Sequence, residues 1–219
     1  MAAEVMQERK SLRHFLADES LSTAEAVILV GSWARGLAPT PWSDIDVLVL
    51  GPVKPWLTSD PLQVAWMSGG ELRRRVAGAD DFAQWALRFG VCLKGRRCWE
   101  ALRDELLPGA PWPDPERKLA HARSRMRTAQ DLVEMGDLDA AQEELRFALA
   151  HLARAVLLSH GIFPLSRPEI PRQLQDVGDA ELAHALADAD PSRSMGKGSL
   201  RAALGLLGAR LAGWASRSA

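Results

Sequence analysis

A run of eight residues divides this chain into two stretches of different character. Residues 108–115 read Pro-Gly-Ala-Pro-Trp-Pro-Asp-Pro, and a segment with four prolines in eight positions cannot continue a helix. Asp114, Pro115 and Glu116 make a favourable helix start, since proline is well tolerated at the first helical position. The sequence therefore predicts a domain at residues 1–107, a Pro-rich linker at 108–115 and a second domain at 116–219.

The stretch after this run has a helical pattern throughout. It is rich in alanine and leucine, its apolar residues recur every three or four positions, and β-branched residues are sparse. Helices are predicted at 115–135, 138–160, 170–177, 179–189 and 198–215. Short connections between successive helices indicate an antiparallel helical bundle.

The stretch before the run mixes short apolar segments with helical patterns. Strands are predicted at 24–30, 44–50, 62–67 and around 91–93, because each is an apolar run of strand length with turn residues nearby. Helices are predicted at 4–19, 70–77, 80–89 and 99–107. We therefore expect this half to contain a sheet with flanking helices.

The composition excludes several classes of protein. The 219 residues are 47% hydrophobic and carry a formal net charge of −1, so no overall field attracts nucleic acid or a membrane surface. The two cysteines make neither a disulfide framework nor a cysteine-based zinc site, and they suggest a reducing compartment. The sequence shows no signal-peptide pattern and no uncharged apolar run of about eighteen residues. We expect a soluble, cytoplasmic protein.

Two carboxylates interrupt the second predicted strand. Asp44 and Asp46 are two positions apart in a run of Ile, Val and Leu, so on a strand both side chains point to one face, about 6.5 Å apart. A divalent cation that both side chains ligate relieves their repulsion. The alternative is an acidic strand start that closes a turn. The cation site is the preferred interpretation, because Asp46 lies inside the apolar run.

A glycine–serine pair precedes the two aspartates. Residues 30–36 read Val-Gly-Ser-Trp-Ala-Arg-Gly, and residues 43–47 read Ser-Asp-Ile-Asp-Val. Together these strings resemble the signature of the DNA polymerase β-like nucleotidyltransferase superfamily, closest to its minimal and aminoglycoside-modifying branches. The resemblance implies the α+β class, with an N-terminal nucleotidyltransferase fold (a small mixed sheet with flanking helices) followed by an antiparallel α-helical bundle.

The signature residues have chemical reasons for their types. Gly31 lets the backbone turn sharply and approach a phosphate, and Ser32, at the start of a short helix, offers a hydroxyl and a backbone N–H to an anion. The resemblance implies that Asp44 and Asp46 are catalytic residues and bind the metal. It also implies the residues that hold the nucleotide: Gly31, Ser32, Arg35 and Ser43.

The resemblance implies a reaction as well. We expect Mg²⁺-dependent transfer of a nucleoside monophosphate, with AMP from ATP ahead of other NTPs, to a hydroxyl of a small molecule, a protein or an RNA. The expected partners are the nucleotide and an unidentified acceptor. A homodimer is open, since kanamycin-type relatives share sites across a dimer. The charge does not indicate nucleic acid, and no membrane partner is expected.

The chain departs from the family pattern at one position. The family usually has a third carboxylate on the following strand, as a metal ligand or general base, but Gln63 stands where it is expected. In the kanamycin-type relatives the base comes from the helical domain, so Glu143 and Glu144 are candidates, and Glu144 is predicted to be the catalytic base. The alternatives are a catalytically reduced nucleotide-binding or regulatory protein, and a component of a toxin–antitoxin pair.

A second motif lies in the helical half. Arg146 and His151 have four residues between them, a spacing that resembles the ribonuclease motif of HEPN domains. In those enzymes a polar residue commonly follows the arginine, whereas Phe147 stands here. A structural pair is therefore preferred over ribonuclease chemistry. Arg117, His121 and Arg125 can line one face of the first bundle helix, where a solvated face is preferred over a phosphate-binding stripe.

Overall fold

The chain forms two compact units, Met1–Pro113 and Asp114–Ala219. The structure is a computed structural model. It describes residues 11–37, 44–52, 57–59, 62–190 and 193–215. Within these ranges no helix is both long and apolar enough to cross a membrane.

The N-terminal unit is built on one mixed sheet. The strands are β1 Ala26–Val30, β2 Ile45–Leu50, β3 Leu57–Ser59, β4 Leu62–Met67 and β5 Val91–Lys94. Their spatial order is β3-β4-β2-β1-β5. The pair β2 and β4 is parallel, and the other neighbouring strands are antiparallel. Four strands lie where the sequence predicts them, and β3 is an additional short strand that the sequence pattern does not indicate.

Helices flank this sheet. Residues 11–16 are helical (α1), and the first part of the helix predicted at 4–19 lies outside the described residues. The others are α2 Gly31–Ala34, α3 Gly69–Ala77, α4 Asp81–Phe89 and α5 Arg96–Leu106. The side chains of Ser68 and Asp80 accept hydrogen bonds from the first turns of α3 and α4, which explains where these two helices begin.

The sheet is buried on both faces. Ile28 and Leu48 pack on one face with residues of α3, α4 and α5, whereas Val27 and Val47 pack on the other face with residues of α1. Successive residues of a strand point to opposite faces. Asp46, next to Val47, therefore lies on the same face as Leu48, at the end of the sheet where β2 begins.

The described residues of the C-terminal unit form helices and the turns between them. Its helices are α6 Pro115–Met135, α7 Leu138–Ser159, α8 Ile170–Asp176, α9 Ala180–Asp188 and α10 Lys197–Ala215. The central helix is α7, which packs against α6, α8, α9 and α10 and buries alanine and leucine side chains along most of its length. A mixed sheet with flanking helices, followed by this helical bundle, confirms the predicted α+β class.

The connection between α6 and α7 follows from local sequence. Gly136 ends α6 with φ +85°, a conformation that glycine adopts without a steric penalty. Asp137 then caps α7, since its carboxylate accepts a hydrogen bond of 3.2 Å from the Ala140 amide. The chain therefore reverses within two residues, and the two long helices pack antiparallel.

Candidate active site

A glycine corner joins β1 to the short helix α2. Gly31 has φ +69°, in the left-handed region that disfavours L side chains. A Cβ at this position would lie 2.5 Å from Oδ2 of Asp46, a distance at which the carboxylate has to move. Glycine is therefore needed at position 31 for two reasons, the turn itself and the close approach of the Asp46 carboxylate.

Asp46 lies on the central strand β2, at the end of the sheet where this strand begins. We call this end of the sheet the sheet edge. Asp46 is opposite Val30 in the antiparallel pair with β1 and in register with Gln63 in the parallel pair with β4. The Asp46 side chain is half-buried, whereas its neighbours Ile45 and Val47 are completely buried on the other face of the sheet. A carboxylate in such an apolar strand needs hydrogen-bonding or charged partners to offset its lost hydration.

Asp44 is tied to the neighbouring strand. It is exposed, and its Oδ2 accepts a hydrogen bond of 2.7 Å from Nε2 of Gln63. Since Gln63 is in register with Asp46 and reaches Asp44, the three side chains lie on one face of the sheet. The edge where β1 ends and β2 and β4 begin thus gathers two carboxylates, one amide and the Gly31 corner.

The other residues predicted from the signature differ in their surroundings. The Ser32 carbonyl accepts hydrogen bonds from the amides of Arg35 and Leu37, which closes the turn after α2. Trp33 packs on the face that carries Val27, so its ring contributes to the core. The exposed Arg35 guanidinium lies 5.3 Å from the centre of the Phe89 ring, in cation–π geometry. Ser43, predicted to hold nucleotide, lies outside the described residues.

The two glutamates considered for the general base lie in the other unit, on α7. Both oxygens of Glu144 accept hydrogen bonds from Nη1 of Arg125, at 2.8 and 3.0 Å, and its side chain is 18% exposed. Glu143 forms a bidentate ion pair with Arg146. The catalytic role of Glu144 stays a prediction.

Arg146 and His151 each have a structural environment within the bundle. Arg146 is 9% exposed, and its guanidinium carbon lies 4.7 Å from the centre of the Phe147 ring. The imidazoles of His121 and His151 are stacked with their centres 5.2 Å apart, which joins α6 to α7. These contacts support the interpretation of the Arg146–His151 motif as a structural feature of the bundle.

The two aspartates at this end of the sheet suit a hard cation that a bound substrate also coordinates. Among the residues the structure describes, no group of three or more His, Cys, Asp or Glu side chains could hold a metal ion. Asp44 and Asp46 provide the oxygen donors that Mg²⁺ prefers, and Mg²⁺ is typically bound by one or two carboxylates together with substrate phosphates and water. The two aspartates therefore fit a Mg²⁺–nucleotide complex.

Shifted pKa values are found at several groups on the helices and on β5. Hydrogen bonds from Arg75 and Arg74 lower the pKa of Glu71, and Arg73 lowers the pKa of Glu105. Burial raises the pKa of the Cys92 thiol, so this cysteine is not activated as a nucleophile.

Comparison with known proteins connects this geometry to a family. The family model described as a nucleotidyltransferase domain matches residues 9–85, a range that contains Gly31, Asp44, Asp46 and Gln63. The chain is also similar to the crystal structure of a nucleotidyltransferase-like protein from Exiguobacterium sibiricum 255-15, with 20% identity and a TM-score of 0.47. That similarity covers 94% of this chain and 73% of the other. No curated protein matches the chain.

Proposed function

We propose that this protein, whose residues 9–85 match the family model of a nucleotidyltransferase domain, uses Mg²⁺ to transfer AMP from ATP to a hydroxyl group. The observation that carries the proposal is the meeting of Asp44 and Asp46 with the Gly31 corner at one sheet edge. The acceptor is a small molecule, a protein or an RNA. Other NTPs are the alternative donors.

The residues at the sheet edge have distinct tasks in this reaction. Asp44 and Asp46 hold the cation, and Gly31 leaves room for a phosphate because it has no side chain. Bound Mg²⁺ supplies positive charge that stabilises the triphosphate and the leaving pyrophosphate. The acceptor oxygen forms a bond to the α-phosphorus, and the bond from that phosphorus to the bridging oxygen breaks. The acceptor proton passes to a general base, for which we propose Glu144.

Pyrophosphate release is the direct test of the proposal. The purified protein is incubated with Mg²⁺, each NTP and acceptors of the three classes, and transfer is followed by label from the α-phosphate. Asp46→Asn should lower the rate by more than about 100-fold, since changing a group that only supports a metal ligand already costs up to that much. Asp104→Asn, at an exposed position on α5, is the matched control and should leave the rate unchanged.

A nucleotide-binding protein without turnover is the second candidate. It is favoured by the amide of Gln63, which cannot accept a proton as a carboxylate can. Calorimetry with ATP and Mg²⁺ distinguishes the two candidates. Saturable binding without pyrophosphate release, with all three classes of acceptor, would support the regulatory role and contradict the enzymatic one.

A further inference from the structure

Gln63 is the polar exception on an otherwise apolar strand. Leu62, Val64 and Trp66 on β4 are buried, whereas Gln63 is exposed at the sheet edge that carries the two aspartates. It is in register with Asp46, and its Nε2 donates the 2.7 Å hydrogen bond to Asp44. One amide thus stands beside both carboxylates.

Within the described residues, this amide contacts the Asp44 carboxylate directly. The described ladder between β2 and β4 begins at Ile45, so the backbone of Asp44 lies just outside the paired strand. Among the described hydrogen bonds of Asp44, the one from Gln63 is the contact that fixes the carboxylate. A hydrogen bond to a charged group is stronger than one between neutral groups, so it restricts the carboxylate even at an exposed site.

The amide also sets the charge of the site. A carboxylate at position 63 would stand beside Asp44 and Asp46 and add a third negative charge, which raises the affinity for a divalent cation in the absence of any ligand. With the neutral amide at position 63, only the two aspartates contribute negative charge. The phosphates of a nucleotide then supply the remaining negative charge.

We propose that Gln63 is a positioning residue, which holds Asp44 ready for the cation and makes cation binding depend on the nucleotide. The inference rests on the proposed function, because it assigns a role to Gln63 in the same site. It predicts that the protein binds a divalent cation together with ATP and binds it weakly alone. It also predicts that a carboxylate at position 63 removes this dependence.

Two variants separate the two effects of Gln63. Gln63→Leu removes the donor without adding charge, and Gln63→Glu removes the donor and adds a charge at nearly the same size. Gln175→Leu, at an exposed position on α8, controls for a leucine on the surface. Mn²⁺ serves as the probe, and free Mn²⁺ is measured by electron paramagnetic resonance with and without ATP. ATP binding in EDTA is measured by calorimetry.

The expected results differ between the variants. Gln63→Leu should weaken ATP binding in Mn²⁺ by about 3- to 10-fold, the range for the net contribution of one ordinary hydrogen bond, and should leave ATP binding in EDTA unchanged. Gln63→Glu should bind Mn²⁺ without ATP about an order of magnitude more tightly than the wild type. It should also melt at a lower temperature in EDTA than in Mn²⁺, because the carboxylates repel one another until a cation is bound.

The contrary results are equally specific. The inference is overturned if Gln63→Leu binds ATP in Mn²⁺ as tightly as the wild type, or if the wild type binds Mn²⁺ alone as tightly as Gln63→Glu does. In either case wild-type transfer of AMP would leave the proposed function standing. A wild type that binds no nucleotide in Mg²⁺ or Mn²⁺ would instead remove the proposed function, and this inference with it.

Discussion

At the scale of single residues, Gly31 offers a controlled test of the site. Gly31 and Gly36 have almost the same backbone conformation, with φ +69° and φ +68°. A Cβ at Gly31 would collide with the Asp46 carboxylate, whereas a Cβ at Gly36 would meet nothing within 4 Å. The pair therefore separates the cost of backbone strain from the loss of the site.

We predict that both alanine variants lose stability and that one of them also loses ligand binding. Gly31→Ala and Gly36→Ala should each lower the free energy of unfolding by about 1–2 kcal/mol, because an L side chain is disfavoured in the left-handed region. Gly31→Ala should also abolish binding of ATP with Mg²⁺, since it displaces Asp46. Urea denaturation and calorimetry measure the two effects. Equal ATP affinity in the two variants would show that Gly31 is not part of the nucleotide site.

At the scale of elements, most of the fold could be predicted because its signals are local. Helix α6 begins and ends at the predicted residues, where Asp114 caps its first turn and Gly136 adopts positive φ. Strand β4 also has the predicted bounds, because its apolar run is continuous between turn residues. A proline, a capping carboxylate or a glycine acts within a few residues, so sequence alone displays it.

The parts that sequence could not reveal depend on pairing between distant segments. Strand β3 has three residues, too few to show an alternating pattern, and it lies at the edge of the sheet. The order of the strands brings Val91 beside Leu29, a pairing that no local pattern encodes. The same holds for Gln63, which the sequence indicates only as a missing carboxylate. Its hydrogen bond to Asp44 follows from the register of β2 with β4.

One side chain of α7 makes three hydrogen bonds to the backbone of the segment after α9. Gln142 is 7% exposed, its Nε2 donates to the carbonyls of Asp190 and Arg193, and its Oε1 accepts from the Met195 amide. We predict that Gln142→Leu lowers the free energy of unfolding by about 1–3 kcal/mol, because three hydrogen bonds to the backbone are lost together. Amide hydrogen exchange at Met195 should become faster.

The control for this prediction is a glutamine whose side chain faces water. Gln175→Leu should change the free energy of unfolding by no more than about 0.5 kcal/mol, as expected for a surface substitution. Unchanged hydrogen exchange at Met195 in Gln142→Leu would show that other contacts hold the segment.

Helices α6 and α10 are joined by an exposed ion pair whose strength should vary with pH. Nη2 of Arg201 donates a 2.8 Å hydrogen bond to Oε1 of Glu134, and this contact lowers the pKa of Glu134. A lowered pKa in the folded state means that the stabilisation is present above the unfolded pKa and disappears as pH falls through the folded one. We predict that the stability difference between wild type and Glu134→Gln is present at neutral pH and fades below about pH 4.3.

Both partners of the pair allow an internal check. Arg201→Gln should give the same pH dependence as Glu134→Gln, and the double variant should lose little more than either single variant. The difference should also shrink in about 1 M salt, because both side chains are mostly exposed and screened. A stability difference that persists at pH 3 would assign the effect to packing instead of charge.

At the scale of the whole molecule, each unit has its own hydrophobic core. The sheet unit has one apolar cluster on each face of its sheet, and the helical unit has a single cluster around α7. We predict that residues 114–219, produced alone, have a helical circular dichroism spectrum and unfold cooperatively on heating. A fragment that remains unfolded would show that its core is too weak without the rest of the chain.

The division into units also gives a test of the general base. Gly31, Asp44, Asp46 and Gln63 all lie in the N-terminal unit, whereas Glu144 lies on α7. If the base lies on α7, changing it in the intact chain should affect AMP transfer without affecting ATP binding. We predict that Glu144→Gln lowers AMP transfer by about 100-fold or more and leaves ATP affinity unchanged, because general base catalysis contributes about 10²- to 10⁴-fold.

Glu143, the other candidate for the base, gives the comparison, since it neighbours Glu144 and each glutamate is paired with an arginine. Glu143→Gln removes one carboxylate and one ion pair from the same helix, as Glu144→Gln does, so a general loss of charge or stability would affect both variants. Transfer that is retained in Glu143→Gln and lost in Glu144→Gln would therefore identify the proton acceptor. Full transfer in Glu144→Gln would exclude Glu144, and equal losses in both variants would point to the stability of α7.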